Sequence, residues 1–237
     1  MSLAQHNEDQ SAGPMLQRHD APLKGGCNTR APPSGAVTSA SEAVRGHGKM
    51  RFGNILDGFV SRLVQTPPAL PVDARKPAAV LVPIVARAEP GVLLTRRTDS
   101  LPLHASQICF PGGRFDEADE SLVATALRET EEEIGVARSE VGIAGFLEPY
   151  RTTTEYTVLP VVGLLPEGVA LRPNGDEVAE VFEVPLRYLI DPGNRELRSI
   201  ERNGVVKRFH VITYGPHVIW GATAGMIVLL SERLWER

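Results

Sequence analysis

The chain has 237 residues, 42% hydrophobic and 23% charged, a balance that argues against both a fully disordered polymer and a bilayer protein, and no window reaches the roughly 18 uninterrupted apolar residues of a spanning helix. Its formal net charge of −4 offers no attraction for a polyanion, and no basic run carries interleaved aromatics, so neither nucleic acid nor a membrane is expected as a partner. Cys27 and Cys109 show neither metal-ligand spacing nor a disulfide framework, which fits a reducing compartment and, without a secretory signal, a cytoplasmic location.

Residues 1–48 are rich in Gly, Pro, Ser, Ala, Asn and charged residues and show no sustained period, which predicts a disordered tail. Met50 stands as an alternative start, and residues 49–237 are expected to form one domain. The string FGNILDGFVSRLVQ places Ile55, Phe59 and Leu63 at helical spacing before the Pro67-Pro68 break, predicting a short N-terminal helix. AAVLVPIVAR (78–87) and VLLTRR (92–97) are strand-like and separated by Glu89-Pro90-Gly91, so a hairpin is the simplest reading. A loop around Leu101 to Ser106 leads to the apolar stretch QICF, which Pro111-Gly112-Gly113 ends.

From Ser121 to Ile134, apolar positions at Val123, Leu127, Thr130 and Ile134 form a helical stripe closed by Gly135, a C-terminal cap signal. GIAGFLEPY, YTVLPVVGLL, EVAEVFEVPL, RELRSIE and KRFHVITY follow as strands, and the residues from Trp220 to Trp235 read as a terminal helix. Strands outnumber helices and do not alternate with them regularly, which favours an α+β sandwich over a doubly wound parallel sheet.

On the helix after Ser121, Glu129, Glu132 and Glu133 fall within one arc, roughly 140° from the centre of the apolar stripe, while Glu131 projects elsewhere. Like charges at these spacings cost a few tenths of a kcal/mol per pair, so the face calls for a compensating cation. Mg²⁺ or Mn²⁺ suits it, because hard divalent ions take oxygen ligands and bridge carboxylates to phosphates. Arg128 stands one turn before Glu132, where an i,i+4 pair orients that carboxylate. A solvated acidic face is the bland alternative. The flank weighs against it: Gly112 and Gly113 let the backbone approach a ligand closely, and Asp116, Glu117, Asp119 and Glu120 lead into the same helix.

Among the other candidates, His104 lies in a polar loop and reads as a structural or substrate-contact residue rather than a general base. Arg96 and Arg97 carry planar forks suited to phosphate, with structural ion pairs as the competing reading. Trp220 and Trp235 read as core or surface anchors.

The string GGRFDEADESLVATALRETEEEIGV resembles the Nudix box, G-x5-E-x7-R-E-U-x-E-E-x-G-U with U apolar. Arg128, Glu129, Glu132, Glu133, Gly135 and Val136 fit, with Thr130 at an apolar position. Gly113 and Glu120 are separated by six residues rather than five, so either Asp119 or Glu120 fills the early acidic position. A similar spacing occurs in the coenzyme A pyrophosphatase branch, whose upstream signature LLTxR[SA]-x3-R-x3-G-x3-FPGG is matched here by LLTRRTDSLPLHASQICFPGG. Leu93, Leu94, Thr95, Arg97 and Phe110 to Gly113 agree; Thr98, Pro102 and Ser106 depart. YTVLPVVG, DEVAEVFEVPL and WGATAGMI also look similar to segments of that branch.

This resemblance implies a Nudix-type α/β/α sandwich with a mixed central sheet, and Mg²⁺ or Mn²⁺ held by Glu129 and Glu133, with Glu132 as a further ligand or the base. Arg128 would support these catalytic glutamates, while Arg97, His104, Gly112 and Gly113 would meet substrate. The implied reaction is hydrolysis of coenzyme A, or acyl-CoA, to 3′,5′-ADP and 4′-phosphopantetheine or its acyl form. Alternatives are a Nudix hydrolase of ADP-ribose or NADH and a non-catalytic nucleotide-binding regulator. A small-molecule nucleotide is the expected partner, and a homodimer is among the assemblies considered.

Overall fold

The structure is a computed structural model that describes residues 58–99, 106–202 and 204–235. The predicted tail, Met50, Cys27, His104 and most of the predicted N-terminal helix lie outside these residues. What is described of that helix is a helical turn at residues 58–60. It leads the chain into the core through Phe59 and Leu63, both buried.

The centre of the fold is an eight-stranded mixed sheet. Strand β1 (Pro77–Ala86) runs parallel to β7 (Thr157–Pro166) along its whole length, from Pro77↔Thr157 to Ala86↔Pro166. Both are apolar almost without interruption, as strands covered on two faces must be. β7 pairs antiparallel with β5 (Gly142–Phe146) and with the short β6 (Tyr150–Arg151). On the other side lies β2 (Gly91–Arg97), which also pairs with β3 (Ile108–Cys109) and β8 (Val178–Pro185).

The expected β1–β2 hairpin is present, meeting at Ile84↔Val92 and Val85↔Gly91. Nearer its start β1 has a different neighbour on that side, β4 (Gly112–Arg114), through Val80↔Gly112, Ala79↔Gly113 and Ala78↔Arg114. The Pro111-Gly112-Gly113 segment, read from sequence as a turn that ends a strand, is therefore itself the entry to a strand.

Alternation along β1 sends Ala78, Val82 and Ile84 to one core and Ala79, Leu81 and Val85 to another. Helix α1 (Leu122–Ile134) adds Ala126 and Ile134 to the second core. Helices α2 (Leu186–Ile190) and α3 (Gly221–Trp235) add Leu186, Leu189, Met226, Ile227 and Leu230 to the first. Helices thus cover both faces of one mixed sheet, the layering expected from sequence.

A separate three-stranded antiparallel sheet is built from β9 (Arg195–Arg202), β10 (Val205–Tyr214) and β11 (His217–Trp220). The predicted terminal helix began at Trp220. In the structure Trp220 ends β11, opposite Val211, and the helix starts at Gly221, whose φ of 68° turns the chain.

Candidate active site

Helix α1 is fixed at both ends by its own sequence. The Ser121 hydroxyl accepts from the Ala124 N–H at 3.1 Å, and Gly135, at φ 71°, donates its N–H to the Glu131 carbonyl at 3.0 Å. These contacts satisfy groups that a helix terminus otherwise leaves unpaired. Thr130 fills a buried position because its hydroxyl donates to the Ala126 carbonyl at 2.6 Å. With that face held against the sheet, the glutamates fall beside β4 and the end of β2.

They do not share one environment. The Glu132 side chain is 56% exposed, Glu129 18% and Glu133 4%. The arc expected to lie away from the core is thus graded from solvent to interior, because β4 and Arg97 flank it. Gly113 shows how close the backbone comes: a Cβ there would stand 2.3 Å from Glu129 Oε1. At Gly112, with φ 153°, a Cβ would meet the Ala79 carbonyl oxygen at 2.4 Å. Neither glycine can take a side chain without displacing its neighbour.

Arg128 organises the solvent end of this arc. Its Nε and Nη2 donate to the two oxygens of Asp119 at 2.9 and 3.0 Å, and its Nη1 donates to Glu129 at 2.9 Å and Glu132 at 3.0 Å. The Arg114 carbonyl accepts from Nη2 at 3.4 Å. The expected Arg128–Glu132 pair is therefore one of three. Asp119 also accepts from the Thr125 hydroxyl at 2.8 Å, whereas Glu120 is exposed. Asp119 is thus the acidic residue facing the helix arginine, and the segment before it turns at Asp116, whose carboxylate accepts from the Ala118 N–H at 2.8 Å.

Electrostatics follow this geometry. The forked hydrogen bond from Arg128 holds the Asp119 carboxyl down to about 2, and the same contact raises Arg128. Burial raises Glu129, against the pull of Arg128. Burial, reinforced by the charge of Glu129, pushes Glu133 up to about 8, with Arg97 opposing. Arg97 Nη1 stands 3.9 Å from Glu133 Oε1. Glu133 Oε2 and Arg97 Nε are buried without hydrogen-bond partners, a costly arrangement for a protein interior.

Other sequence candidates separate from this group. Arg96 turns to Glu180 at 3.2 Å. Glu131 pairs with Arg138 at 3.4 Å, away from the other helix carboxylates as predicted. Trp220 is exposed and meets Phe209 edge-on with ring centroids 6.3 Å apart. The Cys109 thiol is pushed up to about 11 by burial and is unsuited to nucleophilic work. Sequence reasoning did not single out Glu177, whose charge helps raise both Glu129 and Glu133. Its carbonyl accepts from the N–H of Thr98, the residue after β2, at 3.0 Å. The signal was its place in the DEVAEVFEVPL string.

Among the described residues no three acidic, histidine or cysteine groups converge into a ready-made metal cage. A hard divalent ion does not require one, since Mg²⁺ commonly takes one or two carboxylates and completes its shell with water and phosphate oxygens. The unpartnered oxygen of Glu133 and the glycine cradle beside Glu129 fit such an ion.

Comparison with known proteins shows the family. The NUDIX domain family matches residues 75–203. An uncharacterized Nudix hydrolase NudL of Photorhabdus laumondii subsp. laumondii is 41% identical over 182 residues, 76% of this chain and 97% of that protein. The NudL of Shigella flexneri serotype 5b is 43% identical over 182 residues, 76% and 94% of the two chains. The chain belongs to the Nudix family. Among solved structures it is similar to a MutT/nudix family protein from Enterococcus faecalis, with 18% identity, a TM-score of 0.45, and coverage of 84% of this chain and 74% of that one.

Proposed function

We propose that the protein is a coenzyme A diphosphatase, hydrolysing coenzyme A to 3′,5′-ADP and 4′-phosphopantetheine, and acyl-CoA to the acyl form of the second product. The supporting observation is that two parts of the upstream motif meet the helix carboxylates. Arg97, from LLTRR, stands 3.9 Å from Glu133, and Gly113, from FPGG, lies against Glu129. A motif that served only packing would have no reason to supply an arginine and a side-chain-free backbone to the same acidic cluster.

A diphosphate resists attack because its oxygens are negative, so hydrolysis needs charge neutralisation and a placed, activated water. Glu129 and Glu133 would hold Mg²⁺ or Mn²⁺, with Glu132 as a further ligand or the base; the bound ion would supply charge neutralisation and acidify water. Arg128 holds Glu129 and Glu132 in a fixed relation. Water adds one oxygen to phosphorus as the P–O bridge breaks, and the bridging oxygen leaves on the other phosphate. Arg97 and the Gly112–Gly113 backbone would position the diphosphate. His104, in the same motif, is assigned to substrate contact.

A panel of coenzyme A, acetyl-CoA, ADP-ribose, NADH and dinucleoside polyphosphates, with Mg²⁺ or Mn²⁺ and products identified by mass, tests this reading. Preferential release of 3′,5′-ADP from coenzyme A is expected. Preference for ADP-ribose with negligible coenzyme A cleavage would move the substrate, and inertness toward every diphosphate would favour a nucleotide-binding regulator.

A further inference from the structure

The end of the central sheet where β1 and β7 begin, β4 ends and β6 lies gathers charge that the hydrolytic reading does not use. Asp73, Arg75, Arg151, Thr152, Glu155 and Thr157 line a cavity of about 410 Å³, within the size range of small-ligand sites. Arg75 stands 3.5 Å from Glu155, Lys76 stands 4.0 Å from the same carboxylate, and Arg151 meets Asp73 at 2.5 Å. Next to them the Tyr156 ring has Lys76 Nζ 5.4 Å and Arg114 Cζ 5.3 Å from its centroid. Three cations, Arg75, Lys76 and Arg151, face two carboxylates here, with Arg114 beside them on the Tyr156 ring, in a chain whose net charge is −4.

The backbone is also unusual. Lys76 at φ 46° and Glu155 at φ 68° are two of the three non-glycine residues with positive φ among those described. Such conformations cost on the order of 1–3 kcal/mol each and gather at ligand sites. The ion pairs themselves are exposed, with side-chain exposures from 53% to 76%, and exposed pairs contribute little. They keep the cations gathered yet yield readily to a doubly charged phosphate. Arg114 connects this cluster to the carboxylates, since its carbonyl accepts from Arg128. Lys76 lies three positions before Ala79, the β1 partner of Gly113, roughly 10 Å at strand rise, a separation that one nucleotide and a lysine side chain span together.

We infer that this cluster is a second phosphate subsite, which takes a phosphomonoester carried on the nucleotide half of the substrate. Lys76 and Arg75 bind the phosphate, and Tyr156 with Arg114 borders the nucleoside. The inference rests on the coenzyme A reading, because the 3′-phosphate of coenzyme A is such a group, whereas ADP-ribose and NADH have none. It makes this end of the sheet the determinant of selectivity between them.

Calorimetric titration of the full chain with 3′,5′-ADP and with 5′-AMP tests it. The bisphosphate should bind at least about tenfold more tightly, the scale of one charge-assisted hydrogen bond. That preference should collapse toward unity in an Arg75→Ala/Lys76→Ala variant and survive in Lys76→Arg. Equal binding of the two nucleotides by the unaltered protein, or a preference that persists in the double alanine variant, would overturn the inference. Inorganic phosphate binding as tightly as 3′,5′-ADP would also overturn it, marking an anion site unrelated to substrate. The two proposals fail separately. Coenzyme A cleavage without nucleotide discrimination removes only the subsite, and discrimination without coenzyme A cleavage removes only the substrate assignment.

Discussion

Arg128 makes contact with three carboxylates at once, and each contact has a different consequence. Its fork to Asp119 ties the turn before α1 to the helix, while its remaining nitrogen spans Glu129 and Glu132. Asp119 has a folded-state pKa of about 2, below the roughly 4 of an unfolded aspartate. The pair therefore contributes its full stability above about pH 4 and loses it as pH falls toward 2, an effect on the order of 2 kcal/mol. Asp119→Asn should lower urea stability at pH 7 by an amount of that order, with the difference from the unaltered protein shrinking as the titration is repeated toward pH 2. A difference independent of pH would show that the ionised carboxylate is not the origin.

Glu132 differs because it is the exposed member of the arc. Glu132→Gln should leave folding intact by circular dichroism and reduce kcat at least about a hundredfold, the scale of lost general-base or ligand chemistry. Full turnover in that variant would remove Glu132 from its proposed role. The sequence made these residue types and their common arc legible through helical periodicity. It did not disclose that Glu133 is buried against Arg97, because periodicity describes a helix alone and not what stands beside it.

At the scale of elements, α1 was legible almost to the residue, since its cap signals are local: Ser121 at the start, Gly135 at the end. Gly135→Ala should cost at least about 1 kcal/mol in urea denaturation, given its positive φ. The added Cβ would also stand 2.6 Å from the Arg172 Cβ. Unchanged stability would mean that this cap relaxes freely. Strand β4 was less legible, because Pro-Gly-Gly is a turn signal and its strand character depends on β1 lying beside it. β11 was missed for a local reason, its four residues running directly into a helix, whereas the parallel β1–β7 pair joins partners 80 positions apart. Non-local pairing leaves no short-range pattern to read.

For the whole molecule, the two cores place α1 on one face of the sheet and α2 and α3 on the other, so that a packed layer supports the carboxylates from beneath. The α+β class was foreseeable from the strand-rich pattern, while the layering on both faces of a mixed sheet, like the family, was implied by the resemblance to the Nudix box. The proposed substrate rests on finer features, the arginine and glycines of the upstream motif, which meet the helix only once the sheet is assembled. The most direct measurement is incubation of the full chain with coenzyme A, with and without thorough chelation, followed by mass identification of products. The account predicts equal amounts of 3′,5′-ADP and 4′-phosphopantetheine, lost on chelation and restored by Mg²⁺ or Mn²⁺. Intact coenzyme A in the presence of either metal, or cleavage undiminished after metal removal, would contradict it.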